Sequence, residues 1–468
     1  MTRIHLIGIG GTGLSAIARV LLEMGHTVSG SDRVESSFTR DLQAAGATIH
    51  IGHNGKNVVG ADLVVRSSAI PDDNPEVVAA KAARIPVAKR ADFLGSLMDG
   101  KTGITIAGTH GKTTTTAMLA WLLSTLNQDP TFIVGGVLAN LGVNARAGKG
   151  TTFIIEADEY DRMFLGLKPT IEVVTNIEHD HPDCYPTLAH LQDAFLEFVQ
   201  HLPVNGVLVA CAEDPGAYAL LKKAEKMGKT VLGYGLKQTT QNTGKDANDA
   251  RELETYTSII SVNGKGGFTF SASVLGKPAI VELQVPGKHN ILNALAALTV
   301  TQLLDLSLEE AAQALGQFSG TDRRFEVRGE ANGIVVIDDY AHHPTEIQAT
   351  LAAARSRYPR CPLWVVWQPH TYSRTQLLME DFANSFGNAD EVIVTEIYPA
   401  REPKQDFSSK QVVEAMPRPA HFIASLPKVS NYLFTHLQPG DVLLVLSAGD
   451  ADQVSTDVLA HFKEIRHG

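Results

Sequence analysis

Ile104-Thr105-Ile106-Ala107-Gly108-Thr109-His110-Gly111-Lys112-Thr113-Thr114-Thr115-Thr116 is the stretch on which the fold turns. A β-branched run ends at Gly108, a turn follows, and Ala117-Met118-Leu119-Ala120-Trp121-Leu122-Leu123 continues as an apolar helix. Strand, loop and helix N-terminus in that order aim successive backbone N–H groups into one concavity, where the positive end of the helix dipole favours phosphate. In such a loop Lys112 reaches the β- and γ-phosphates and the Thr113 hydroxyl ligates Mg²⁺. The usual G-x-x-x-x-G-K-[ST] spacing puts its first glycine on Ile106, so the turn falls to Gly108. Thr113 to Thr116 open a helix poorly unless their hydroxyls are used, so those hydroxyls are expected to have partners.

Upstream, Arg3 to Ile7 reads as a strand, Gly8-Ile9-Gly10-Gly11-Thr12-Gly13 as a glycine turn and Leu14 to Met24 as a helix, with a second strand at Thr27 to Gly30 before Ser31-Asp32. This is a G-x-G-x-x-G in strand–turn–helix context with an acidic residue beyond it, which taken alone means dinucleotide binding. A glycine turn of this kind accepts any diphosphate, so NAD and a nucleoside-diphosphate sugar both fit. Strand-like runs at 48–51, 63–68 and 86–88 extend a small parallel sheet. Two phosphate loops, at 8–13 and 108–114, imply two phosphorylated ligands, which an NAD-dependent oxidoreductase leaves unexplained.

Downstream, Phe153-Ile154-Ile155 delivers Glu156-Ala157-Asp158-Glu159-Tyr160-Asp161 at its carboxyl end, and Val173-Val174-Thr175-Asn176-Ile177 delivers Glu178-His179-Asp180-His181. Ligands of open α/β sheets gather at those ends. Carboxylates with a histidine suit Mg²⁺ and phosphate, because hard cations take oxygen ligands and keep positions open for substrate. Zinc at His179 and His181 lacks a cysteine or histidine partner at metal-site spacing. A non-catalytic nucleotide-binding regulator would keep the phosphate loop without needing Glu156 and His181. Lys237 to Glu254, nearly devoid of apolar residues, reads as an exposed loop, and Asn263-Gly264 as the turn of a hairpin between 256–262 and 267–274. Asn290 and Asn293 lie on one face of the first turn of a helix running to Leu304, placed to read a purine edge or to cap the helix. A third unit begins after Gly320-Thr321-Asp322-Arg323-Arg324-Phe325. Its strand at 335–337 presents Asp338-Asp339-Tyr340-Ala341-His342-His343-Pro344, and the one at 363–367 presents Gln368-Pro369-His370-Thr371-Tyr372-Ser373-Arg374.

At 468 residues the chain exceeds a single core, and the pattern gives an α/β protein of three domains, at 1–100, 101–319 and 320–468. Net charge of -11 and pI near 5.9 argue against general nucleic-acid or anionic-membrane binding. Three scattered cysteines, Cys184, Cys211 and Cys361, form no C-x-x-C pair, and no apolar run approaches a membrane span, so a soluble cytoplasmic protein is expected.

In their order and combination these residues resemble the Mur ligases, ATP-dependent amide-forming enzymes of peptidoglycan synthesis. The resemblance runs the length of the chain: Gly8 to Asp32, Ala-Gly-Thr-His-Gly-Lys-Thr-Thr, Glu-Ala-Asp-Glu, Asn-Ile-Glu-x-Asp-His, Pro-Gly-x-His-Asn-x-x-Asn, Arg-Arg-Phe and Asp-Asp-Tyr-Ala-His-His-Pro-Thr-Glu. It implies an N-terminal Rossmann-like UDP-binding domain, a central P-loop ATPase domain and a C-terminal Rossmann-like domain that closes over ATP. It further implies that L-alanine is joined to the lactyl carboxylate of UDP-N-acetylmuramate through an acyl phosphate, with ATP and Mg²⁺, in cell-wall synthesis; the branch that recycles a preformed tripeptide is the alternative.

Carried over residue by residue, the resemblance puts the ATP phosphates on Gly108, Thr109, His110, Gly111, Lys112, Thr113 and Thr114. Thr113, Glu156 and His181 become the magnesium and phosphate set, Asn290 and Asn293 the adenine side, Arg324 a phosphate ligand and Asp339 the ribose ligand. Lys112, Glu156, His181 and Arg324 are the catalytic group. UDP falls to Gly10, Gly11, Thr12, Gly13, Asp32, Ser67, Ser68 and Arg90, the sugar side to Gly135 and Asn140, and the amino acid to His342, His370 and Arg374. Two positions depart from the alanine-adding pattern: Tyr160, where many members have serine, and Thr371, where many have arginine. Gln368-Pro369-His370 through Arg374-Thr375 and Ile397-Tyr398-Pro399-Ala400 look like the alanine-adding branch.

Overall fold

The computed structural model describes residues 2–236 and 253–464, in which three sheets follow one another along the chain. All but the last two residues of the loop expected at Lys237 to Glu254 lie outside the described residues. In the first sheet Thr48–Ile51, Thr27–Asp32, Arg3–Ile7, Leu63–Arg66 and Val87–Lys89 lie side by side, all parallel. The order reverses at Arg3–Ile7, which brings the Gly8 turn and the Ser67 loop together at a switch point, where open α/β sheets take ligands. The approach is close: a Cβ on Gly8 would stand 3.3 Å from that of Ser67.

Thr230–Leu236, Val207–Cys211, Ile171–Val174, Thr102–Ala107, Thr152–Glu156 and Thr131–Leu138 form the parallel heart of the second sheet. Thr102–Ala107 sits between Ile171–Val174 and Thr152–Glu156, so the phosphate loop is flanked by both acidic strand ends. These strands are continuous apolar runs because helices cover both faces. On one face Lys112–Thr125 and Lys288–Leu303 share a cluster with Ile104, Ile106 and Val173. Both helices are buried around most of their circumference, so neither shows a polar face. The hairpin at Asn263 forms as expected: its Oδ1 accepts from the backbone N–H groups of Lys265 (3.0 Å) and Gly267 (3.1 Å).

The third sheet orders Glu326–Ala331, Ile334–Asp339, Val442–Ser447, Leu363–Gln368, Glu391–Val394 and His421–Phe422, with only the first strand antiparallel. Its two faces carry their own cores, around Trp367, Phe382 and Phe386 and around Val429, Leu433 and Val458. The junctions between the units differ in kind. Ile17 and Leu21 of the first unit and Ile133 and Ala145 of the second belong to one buried apolar cluster. The third unit meets the second through polar contacts, Thr345 to Glu178 and Arg374 to Asp180, the kind of interface that opens most easily.

One core residue breaks the apolar rule. Glu172, in the middle of the second sheet, is fully buried, and neither carboxyl oxygen has a hydrogen-bond partner among the described residues. Burial drives its pKa well above the usual 4.5, with only Lys229 opposing. A raised folded pKa means stability that is fully present below the unfolded value and lost as pH rises through the folded one. Glu172→Met, of similar volume and apolar, is therefore expected to raise stability by about 1–3 kcal/mol. In unfolding experiments its advantage over the wild type should be larger at pH 8 than at pH 5.

Candidate functional site

Gly108 supplies the turn, with φ of 133°, and a Cβ there would stand 2.1 Å from the Thr175 hydroxyl. The loop is braced on the segment after Ile171–Val174: His110 N–H donates to Asn176 Oδ1 (2.8 Å) and the Thr109 hydroxyl to the Glu178 carbonyl (3.0 Å). Lys112 Nζ donates to the Gly108 carbonyl at 2.5 Å and lies 2.9 Å from both oxygens of Glu159, a carboxylate only 1 % exposed. Burial works against the ammonium, but Glu159 and Asp158 outweigh it and raise its pKa. Glu159 was visible in sequence only as one acid among four. It lies past the strand end, where the chain turns through positive φ at Asp161 and Arg162, and no spacing rule points it at Lys112. The threonine expectation holds for Thr116, bonded to the Lys112 carbonyl (2.8 Å), and fails for Thr115, whose hydroxyl is buried without a partner among the described residues.

The Thr113 hydroxyl favours the charged form of Glu156 against the effect of burial, and the carboxyl oxygen Oε1 is buried with no partner among the described residues. A hydroxyl and an unsatisfied carboxylate oxygen are the donor set a hard cation prefers, so the residues present fit Mg²⁺. His181, with φ of 51°, puts Nε2 3.8 Å from Glu159 and 3.9 Å from Asp180. Gly135, expected on the sugar side, stands against the Glu156 carboxylate: a Cβ there would come within 2.2 Å of Glu156 Oε2 and 3.3 Å of the Thr113 hydroxyl. Gly135→Ala should therefore push Glu156 aside, and we expect the Mg²⁺ requirement to rise about tenfold or more in a titration of activity against metal. Asn140, the other residue expected on the sugar side, is held within the chain. Its amide donates to the Gln317 carbonyl (2.7 Å) and accepts from Ser319 N–H (2.8 Å) and hydroxyl (2.9 Å), tying two loops together.

Between the phosphate loop and the third unit lies a cavity of about 610 Å³, within the range of a nucleotide site. His110, Asn290, Asn293, Arg324, Asp339 and Thr345 are among its lining residues. Asn290 donates to the Pro286 carbonyl (2.6 Å) and accepts from Asn293 (3.0 Å), so the two amides are locked together at the cavity wall. Asp339 accepts from the N–H groups of Phe325 (2.7 Å) and Ala341 (2.8 Å), and burial, opposed by Arg324, lifts its pKa to about 6. His110 bridges the domains, with Nε2 3.0 Å from Glu178 and Nδ1 3.3 Å from Glu346. Burial disfavours its charge, but the two carboxylates prevail and raise its pKa to about 9. Glu346 also stands 3.6 Å from Arg324, so it gathers the third unit's end of this contact.

The amino-acid candidates come together on the other side of that contact. Arg374 donates from Nε to Asp180 (2.8 Å) and from Nη1 to His370 Nδ1 (3.1 Å), and the rings of His342 and His370 are 5.9 Å apart. Arg374 holds Asp180 well below the usual carboxylate range in spite of burial. Tyr398, outside the predicted set, stacks on His370 at 5.9 Å, and Thr371 between them has φ of 67°, a strained value for a β-branched residue. In the first unit Gly10 N–H donates to Asp32 (2.8 Å), and the Arg90 guanidinium packs so tightly on the glycine turn that a Cβ on Gly13 would fall 1.8 Å from it. Arg90 reaches on to Met163 Sδ (3.1 Å) and Asp158 (3.7 Å), joining that turn, which includes Gly11 and Thr12, to the second unit. Ser67 faces the same turn, with Ser68 next to it.

Three family models match in chain order: the Mur ligase family catalytic domain at residues 3–102, the Mur ligase middle domain at 106–301 and the Mur ligase glutamate ligase domain at 323–449. The chain belongs to the Mur ligase family. Among relatives of this Mur ligase, the UDP-N-acetylmuramate–L-alanine ligase of Geotalea daltonii is 44 % identical over 99 % of this chain and 98 % of its own length. The crystal structure of UDP-N-acetylmuramate–alanine ligase from Thermotoga maritima has a TM-score of 0.81 at 28 % identity, covering 99 % of this chain and 100 % of that one. A murein peptide ligase from Psychrobacter arcticus has a TM-score of 0.71 at 26 % identity over 99 % of each chain. The three-domain α/β architecture is thus that of the Mur ligases. Among the described residues no helix is long and apolar enough to cross a membrane.

Proposed function

We propose that this Mur ligase forms an amide between L-alanine and the lactyl carboxylate of UDP-N-acetylmuramate, cleaving ATP to ADP and phosphate, in the cytoplasmic synthesis of peptidoglycan precursors. The observation that carries the reading is the convergence, across one polar domain junction, of the Lys112–Glu156–Arg324 group with the His342–His370–Arg374 group. The alanine-adding name of relatives above 40 % identity supports alanine over the tripeptide as acceptor. The division at 1–100, 101–319 and 320–468 goes with this reading and is supported by one sheet in each part.

A carboxylate acylates an amine poorly at neutral pH, so it must first gain a leaving group. Transfer of the γ-phosphoryl to the muramyl carboxylate makes an acyl phosphate, and attack by the alanine amine expels phosphate. Lys112 and Arg324 are the cations placed to offset charge on the transferring group. Thr113, Glu156 and His181 would hold Mg²⁺, which would supply charge neutralisation at the phosphate oxygens. Asn290 and Asn293 form the base-side wall, with Asp339 on the ribose side. Gly10 to Gly13, Asp32, Ser67, Ser68 and Arg90 hold the UDP end. The junction through His110, Glu178, Thr345 and Glu346 closes the cleft and keeps water from the acyl phosphate.

The test is phosphate release from ATP and Mg²⁺ with each substrate omitted in turn. Release that needs both UDP-N-acetylmuramate and L-alanine supports the reading, and release independent of either one contradicts it.

A further inference from the structure

His342 and His370 belong to the group proposed to take the amino acid, and their hydrogen bonds fix them in opposite tautomers. His342 Nδ1 is 2.9 Å from the Tyr340 carbonyl and 3.2 Å from Glu346. A carbonyl oxygen only accepts, so Nδ1 carries the hydrogen and Nε2 keeps the lone pair. His370 Nδ1 is 3.1 Å from Arg374 Nη1, and a guanidinium only donates. There the lone pair is on Nδ1 and the hydrogen on Nε2. The group therefore offers donors, Arg374 and His370 Nε2–H, and one imidazole acceptor, His342 Nε2. A zwitterion has the matching polarity: a carboxylate that only accepts and an ammonium that only donates.

On the ligase reading above, we propose that His342 is the base that takes the proton from the amino acid's ammonium group, with Glu346 and the Tyr340 carbonyl orienting it, while His370 is a donor to the carboxylate. In the step, a proton leaves the ammonium nitrogen for His342 Nε2, and the freed lone pair forms the C–N bond to the acyl carbon. The C–O bond to phosphate breaks, the electron pair leaves with the phosphate oxygen, and the second nitrogen proton goes with that phosphate. His342 returns its proton to solvent. The imidazolium formed in between sits beside the Glu346 carboxylate, the arrangement of a base held by a third group.

The charged and titratable neighbours of His342 are Glu346 on the helix that follows it, Arg374 and His370 from the segment after Leu363–Gln368, and Asp180 from the second domain. Without substrate, burial first, then Arg374 and His370, press its pKa to about 3 against the pull of Glu346 and Asp180. A substrate carboxylate seated on Arg374 cancels one of those causes, so basicity at Nε2 is gained when the amino acid arrives.

The experiment separates the two half-reactions. With ATP, Mg²⁺ and UDP-N-acetylmuramate, the acyl phosphate is trapped by hydroxylamine, a neutral nucleophile that needs no base, and ligation is followed in parallel with L-alanine across pH 6.5–9.5. His342→Gln is expected to keep hydroxamate formation within a few-fold of wild type, which also shows that it is folded. Its alanine ligation should fall by about 100-fold or more near pH 7 and recover as pH rises and free amine accumulates. His370→Gln should instead raise the KM for alanine with an unchanged pH profile. If His342→Gln ligates alanine with the wild-type rate and pH profile, or loses hydroxamate and ligation equally, the base assignment is wrong. If the wild type forms no hydroxamate, the ligase reading itself fails.

Discussion

Lys112→Ala is expected to lower turnover by about 10³-fold or more and, in the same protein, to lower stability. The sequence alone predicts only the first effect, since a phosphate-loop lysine looks like a side chain waiting for its ligand. In the structure it is half of a buried ion pair, held 2.9 Å from both oxygens of a Glu159 that is 1 % exposed. Removing one partner of such a pair leaves an uncompensated buried charge, at about 3–5 kcal/mol, less whatever Glu159 recovers by taking up a proton. The two consequences can be parted. Lys112→Ala combined with Glu159→Gln should regain most of the lost stability in urea unfolding, because no lone carboxylate remains, yet turnover should stay as low as in the single variant. Equal stabilities for wild type and Lys112→Ala would mean that the pair is not formed in solution.

Arg374→Met should cost about 10³-fold in kcat/KM for alanine while leaving the thermal midpoint almost unchanged. Arg374 and Asp180 are each about 4 % exposed and meet at 2.8 Å across the junction of the second and third domains. Losing the guanidinium strands Asp180, but the molecule has a cheaper response than unfolding. Each domain keeps a core of its own, so the junction opens and water reaches the carboxylate. Small-angle scattering of Arg374→Met should therefore show a larger radius of gyration than the wild type. Arg374→Met with Asp180→Asn removes both charges and should return to the compact form, while alanine ligation stays impaired because the carboxylate donor is gone. A single variant as compact as the wild type would count against the pair as the device that holds the cleft shut.

The parts of this protein that were legible in sequence are those set by local chemistry. Apolar runs that end in glycine or acid are strands of covered parallel sheets, and Gly108, Gly111 and the Gly8 turn stand where positive φ or close approach excludes a side chain. Asn263-Gly264 made its hairpin for the same local reason. Partners from distant segments were not legible. Glu159 meets Lys112, Glu346 meets His110, and Asp180 meets Arg374, contacts that depend on how loops leave their strands and how one domain rests on another. What Gly135 and Asn140 touch within the chain was not legible for the same reason. The first lies within Thr131–Leu138, the strand beside Thr152–Glu156, and so must clear the Glu156 carboxylate, and the second is bonded to the loop at 317–319.

Mass analysis of the product formed from ATP, Mg²⁺ and UDP-N-acetylmuramate, with L-alanine, glycine, L-serine or the tripeptide supplied in parallel, tests the central claim most directly. The account predicts a nucleotide sugar heavier by one alanyl residue, formed together with ADP and phosphate. A product only with the tripeptide, or ATP binding with no product from any acceptor, would contradict it.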